Sequence, residues 1–136
     1  MDRVIHNPRS KRAARGRAAV ESQLRELEPS REIPWVTLDE LAETPTDAES
    51  RVLVIGGDGT INAVANWVAD LPAAVRPTIA IVPAGTGNNL ARDLGYPIDP
   101  QCAVDAIRHS TRERTLDLIR IRDGVRGDAI DAIQSV

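Results

Sequence analysis

Twice in this chain a continuous aliphatic run enters a cluster of glycines and then gives way to a helical pattern. Arg51-Val52-Leu53-Val54-Ile55 runs into Gly56-Gly57-Asp58-Gly59-Thr60, and from Ile61 onward Ile61, Val64, Ala65 and Val68 share one helical face until Leu71-Pro72 stops it. Residues 78–82 form a second such run, which enters Pro83-Ala84-Gly85-Thr86-Gly87 ahead of a helix over 88–94. An unbroken β-branched run marks a strand covered on both faces, and strands covered on both faces belong to parallel sheets flanked by helices. The remaining elements agree. Residues 3–6 read as a strand ended by Asn7-Pro8, and Ser10 offers an N-cap to a helix reaching about Leu27. Residues 34–38 suit a short edge strand and 38–43 a single helical turn, while Asp99-Pro100 opens a helix to His109. Residues 114–126 read as a hairpin turning at Asp123-Gly124. The predicted fold is α/β, a three-layer, doubly wound, mostly parallel sheet followed by a short β-hairpin, with ligands at the carboxyl ends of the strands.

A length of 136 residues fits one domain. Aromatic residues make up only 2% of it, so the core must be aliphatic. A net charge of -3 argues against a dedicated nucleic-acid binder, which needs a basic excess to neutralise phosphates. The single cysteine, Cys102, has no internal partner, and the N-terminus lacks the apolar core of a secretory signal, so the expected location is the cytoplasm. No apolar run approaches the roughly 20 residues that span a bilayer, which leaves peripheral contact as the expected mode at a membrane.

Both glycine clusters stand where a strand ends and a helix begins, so backbone can approach an anion closely and unpaired N–H groups can face it. Asp58 would repel a bare phosphate but can hold Mg²⁺ or a ligand hydroxyl. Taken alone, residues 56–59 could equally be a tight βα turn; the repetition favours a phosphate site. The chain's one lysine, Lys11, lies far from either cluster, which excludes a Walker A loop. A dinucleotide fingerprint fails because its third small residue would be Asn62 in the first loop and Leu90 in the second. Any bound phosphates must be neutralised by backbone amides, Mg²⁺ and arginines.

Gly56-Gly57-Asp58-Gly59-Thr60 with Asn62, followed in order by Pro83-Ala84-Gly85-Thr86-Gly87-Asn88, Ala91-Arg92 and Leu94-Gly95, resembles the catalytic domain of diacylglycerol kinases and the related sphingosine and bacterial lipid kinases. Asn7-Pro8 resembles that family's opening motif, and the likeness covers residues 4–122. It implies an ATP site lined by Asn7, Gly56, Gly57, Asp58, Gly59, Thr60 and Asn62, closed by Gly85, Thr86, Gly87 and Asn88. Mg²⁺ as cofactor, a lipid hydroxyl as phosphoryl acceptor and peripheral membrane contact are implied with it. There are departures. Lys11 follows Ser10 where the family usually has glycine, Asn89 stands where Asp is common, and the region before Arg51 is short and shows no pattern for the helix the family usually places there. The family continues into a β-rich second domain that supplies the catalytic carboxylate, and residues 127–136 do not match its next strand. The expectation is therefore a nucleotide-binding half over residues 1–136, with self-association as one way to cover sheet surface. An enzyme similar to NAD kinase shares the first loop, and a non-catalytic nucleotide-binding module is the alternative from another class.

Other residues read more plainly. Cys102 is expected to be a small core residue, Trp35 and Trp67 to pack, and His6 to pack at a strand end. The two histidines, His6 and His109, lack metal-ligand spacing. Arg92 could reach a phosphate or form a surface ion pair, and Asp117 is placed on a strand. Lys11, Arg12, Arg15 and Arg17 oppose the helix dipole at the start of their helix, as a solvated basic face or as neighbours of an anion.

Overall fold

The computed structural model describes residues 3–10, 13–27, 30, 32–118, 121–122 and 129–130. Four parallel strands form its sheet: β1 (Arg3–His6), β2 (Trp35–Thr37), β3 (Arg51–Gly56) and β4 (Thr78–Pro83). They lie in the order β2-β1-β3-β4. The pairing is level across the middle of the sheet, with Val4 beside Leu53 and Leu53 beside Ala80. The helices are α1 (Ala13–Leu27), α2 (Asp58–Asp70), α3 (Asn89–Asp93) and α4 (Pro100–His109).

The aliphatic runs explain the layers. Val52, Leu53, Val54 and Ile55 are all fully buried, because alternate side chains point to opposite faces and both faces are covered. On one face Leu53 and Ile55 join Val4 and Val82 beneath Val20 of α1 and Val104 and Ile107 of α4. On the other, Val52 and Val54 join Ile5 and Ile81 beneath Ile61 and Val64 of α2 and Ala91 of α3. Each fully buried aliphatic side chain contributes about 1.5–3 kcal/mol, so β3 supplies a large share of the core from one short segment. Gly16, in the first turn of α1, permits its close seating: a Cβ there would lie 3.1 Å from Ile55 Cγ2 and 3.4 Å from Ala84 Cβ.

The connections set the site. The chain winds outward from β1 to β2, then returns to the far side of β1 and winds the other way from β3 to β4. The winding therefore reverses between β1 and β3, and in open α/β sheets ligands bind at such a reversal, outside the carboxyl ends of the strands. Asn7 follows β1 there and Gly57 follows β3.

In the short region before β3 the chain forms a 3₁₀ turn, Leu38–Glu43. Its start is fixed by the Glu40 carboxylate, which accepts both the Thr37 N–H at 2.7 Å and the Thr37 hydroxyl at 2.8 Å. The closing hairpin differs from the expected one. Residues 111–118 have no regular structure, Asp117 is exposed and lies on no strand, and the antiparallel strands are β5 (Ile121–Arg122) and β6 (Ala129–Ile130). The polar stretch after α4 is tied instead by Glu113, which accepts from Arg51 at 3.1 Å and faces the Thr78 hydroxyl at 3.4 Å. The expected turn at Asp123-Gly124 lies outside the described residues. No described helix is long and apolar enough to cross a membrane.

Candidate functional site

The two glycine loops meet backbone to backbone. A Cβ on Gly57 would lie 2.7 Å from Gly85 Cα, and one on Gly85 would lie 2.4 Å from Gly57 Cα. Only glycine at both positions allows this approach. The contact continues the β3–β4 pairing past the strands, since Ala84 N–H donates to the Gly56 carbonyl at 2.9 Å. Gly56 is confined from behind, where a Cβ would stand 2.4 Å from Thr60 Cβ. Thr60 is itself buried, so it supports the first loop from within the fold.

α2 begins at Asp58, with Gly57 as N-cap, three residues before the expected start at Ile61. Gly57-Asp58-Gly59 reads as a loop by composition, but a carboxylate in the first turn is favourable at the positive end of the helix dipole. The first-turn N–H groups of a helix have no intrahelical acceptor, and around Gly59 a Cβ would meet nothing within 4 Å. That end of α2 is therefore open to an approaching group. Asp58 spans the two loops: its Oδ1 accepts from the Leu90 N–H at 3.4 Å, and its Oδ2 would stand 2.9 Å from a Cβ on Gly87.

The second loop is fixed by side chains. Asn88 is in the left-handed region, φ 53° and ψ 43°, and is the one non-glycine residue with positive φ among the described residues. Asparagine tolerates this conformation because its amide can bond locally. Its Oδ1 accepts from Gly85 N–H at 2.8 Å and its Nδ2 donates to the Gly85 carbonyl at 3.2 Å. Asn88 thus latches the loop, and its asparagine after a glycine was a signal available in the sequence. Arg92 Nε donates to the Gly87 carbonyl at 3.0 Å, which is neither of the partners expected for it. Thr86 is exposed at the tip and Asn62 is half-buried on α2.

At the end of β1, Asn7 Oδ1 accepts from Arg9 N–H at 3.0 Å and turns the chain toward α1. His6, Asn7, Pro8, Ser10, Ala14 and Arg17 line a small open cavity there. Arg17 lies 4.5 Å above the Trp35 ring and bonds Glu21 at 2.7 Å, so it serves packing and pairing rather than a plain solvated face. The buried His6 ring meets Trp35 edge-on at 5.5 Å, which agrees with packing at a strand end. Burial, followed by the Arg17 charge, pushes the His6 pKa below its ordinary 6.5, against weaker opposing effects of Glu40 and Glu21. A histidine whose folded pKa is depressed costs stability as the pH falls from its unfolded value through the folded one, because only the unfolded chain gains the proton. The wild type should therefore lose stability between pH 7.5 and 5 relative to His6→Phe, with a difference below about 1.4 kcal/mol per pH unit. Denaturant midpoints across that range check this; parallel curves would refute it.

Cys102 is exposed, contrary to the expected core position. α4 buries Ala103, Val104 and Ile107, which turns Cys102 outward onto the Asp99 cap, whose carboxylate pushes the thiol pKa up. It is a poor nucleophile. Trp67 packs against the α2 face of the core and Trp35 against the α1 face, as expected.

The diacylglycerol kinase catalytic-domain model matches residues 3–121. The chain is 30% identical over 119 residues to "Diacylglycerol kinase" of Staphylococcus saprophyticus, an alignment covering 81% of this chain and 38% of that one. It is 38% identical over 73 residues to "Probable lipid kinase YegS-like" of Pectobacterium atrosepticum, covering 54% and 24% respectively. Among solved structures, "A putative diacylglycerol kinase from Bacillus anthracis str. Sterne" superposes with a TM-score of 0.60 at 26% identity, over 76% of this chain and 37% of that chain. The chain belongs to the diacylglycerol kinase catalytic-domain family, a family of lipid kinases, and it spans well under half the length of these relatives.

Proposed function

We propose that this chain is the nucleotide-binding half of a lipid kinase, holding Mg-ATP whose γ-phosphoryl group passes to a lipid hydroxyl. The observation that carries this reading is the backbone contact of Gly57 with Gly85, which joins the loops after β3 and β4 into one cradle next to the winding reversal between β1 and β3, beside the open first turn of α2. The position suits a polyphosphate: the first-turn N–H groups of α2 have no intrahelical acceptor, the space at Gly59 is open, and glycine leaves room for close approach. Asp58 suits a nucleotide carried with its metal ion, because its carboxylate would repel bare phosphate and attract Mg²⁺.

The roles divide by position. Gly57, Asp58 and Gly59 face the phosphates from α2, and Gly85, Thr86 and Gly87 close on them from β4. Asn7 approaches from β1 and Asn62 from α2, while Gly56, Thr60 and Asn88 hold the loops from behind. Bound Mg²⁺ supplies charge neutralisation and polarisation of the phosphoryl group. The residues of this chain orient the phosphates and hold the loops rigid, and such positioning is most of what phosphoryl transfer asks of a protein. The acceptor lipid, the catalytic carboxylate and contact with a membrane surface belong to the proposal for the whole protein.

Gly59→Ala tests the cradle. The new methyl has open space and a helical position, so the ligand-free protein should gain about 0.5–1 kcal/mol. Mg-ATP affinity measured by calorimetry should nonetheless fall about tenfold or more, or roughly 1.4 kcal/mol, since the methyl occupies the approach to the first-turn N–H groups. Unchanged affinity in the stabilised variant would remove Gly59 from the site.

A further inference from the structure

Arg92 lies on the exposed side of α3, one turn beyond the second glycine loop, where a guanidinium would ordinarily meet solvent or a carboxylate. It bonds the loop's own backbone instead, Nε to the Gly87 carbonyl at 3.0 Å. The loop's other fastenings come from more enclosed groups: Asn88, which is buried, at Gly85, and Asp58, which is half-buried, at the Leu90 N–H. Arg92 is thus the fastening that can be removed without opening the core.

The carbonyl it holds matters to an anion. In a planar trans peptide the C=O of one residue and the N–H of the next point in opposite directions. Holding the Gly87 oxygen toward Arg92 therefore turns the Asn88 N–H away from Arg92. Gly87, on one side of this peptide, has no side chain to hinder its rotation, and a rotated peptide would turn a carbonyl oxygen, the negative end of its dipole, toward bound phosphate. We propose that Arg92 is a positioning residue of the nucleotide site, one that keeps the Gly87 carbonyl turned away from the phosphates and makes no contact with them itself. This rests on the nucleotide reading of the loops.

The chemistry of substitution separates bracing from direct charge contact. A glutamine amide nitrogen sits the same number of bonds from Cα as arginine Nε, so Arg92→Gln keeps the donor and discards the charge. Arg92→Lys keeps the charge and moves the donor one atom outward. In the ligand-free chain the ¹³C shift of the Gly87 carbonyl reports its hydrogen bond; it should move in Arg92→Ala and Arg92→Lys and stay near wild type in Arg92→Gln. Mg-ATP affinity should follow the same order, falling about tenfold in the alanine and lysine variants and less than about threefold in the glutamine variant. Because Arg92 is exposed, the ligand-free unfolding midpoint should hold in all three. Lysine binding like wild type while glutamine binds like alanine would overturn the proposal in favour of phosphate contact, and an unmoved Gly87 carbonyl in Arg92→Ala would overturn the brace. A wild-type chain with no Mg-ATP affinity would sink the nucleotide reading and this role with it, and the carbonyl series would still show whether the brace exists.

Discussion

Gly85→Ala is expected to damage stability and ligand binding together. The added methyl would stand 2.4 Å from Gly57 Cα and 2.8 Å from Asn88 Oδ1. Neither neighbour is the free end of a flexible side chain: one is backbone, and the other is held by its bond to the Gly85 N–H. The two loops must part, and overpacking of this kind costs about 1–3 kcal/mol. Parting the loops also strains the Ala84–Gly56 hydrogen bond that continues the sheet pairing. Mg-ATP affinity should fall by at least about tenfold, since parting the loops moves the two halves of the proposed cradle away from one another. Urea unfolding and calorimetry check the two halves of the expectation. The contrast with Gly59→Ala is informative, because that change should stabilise the protein while weakening the same ligand. Gly85→Ala without cost would mean that the loops do not touch as described.

Leu53→Ala should have the largest effect on stability alone. Leu53 is fully buried at the centre of the sheet, between Val4 and Ala80, and lies in the cluster formed with Val20 of α1 and Val104 of α4. Neighbours on both adjacent strands and on two helices limit collapse around the vacated volume, so the expected loss is about 2–5 kcal/mol. Small domains have roughly 5–15 kcal/mol in all, so this one change could remove a third or more. Leu118, which is exposed, serves as the comparison, with an expected change within about 0.5 kcal/mol on truncation. The test is the shift in urea midpoint at unchanged slope. A loss below about 1 kcal/mol at Leu53 would place the core elsewhere.

The strands of the parallel sheet and the glycine loops were legible because their signals are local, whereas the closing hairpin, with weaker signals, was misplaced. The four aliphatic residues Val52 to Ile55, bounded by a glycine cluster, mark a strand covered on both faces, and glycine clusters directly after such runs mark where backbone must bend or be approached. The layer order followed from the alternation of strands and helices. What escaped depends on partners distant in sequence. The start of α2 at Asp58 was hidden because glycine on either side argues for a loop, while the dipole and the Leu90 contact favour the helix. Cys102 looked apolar enough for the core, but α4 rotates it onto the Asp99 cap. Gly16 gave the signal of a glycine inside a helix, whose cause, the approach to Ile55 and Ala84, is tertiary. Arg92 could not be assigned from sequence because its partner is a backbone carbonyl, which every residue possesses.

Whether the joined glycine loops hold Mg-ATP is decided by a thermal-unfolding titration of this chain. A ligand present at about a hundred times its Kd adds about 2.7 kcal/mol to the stability of the folded state. Tm should rise with Mg-ATP, the rise should disappear when Mg²⁺ is chelated, and NAD should produce none. No shift with Mg-ATP, or a shift with NAD in its place, would contradict the Mg-ATP reading.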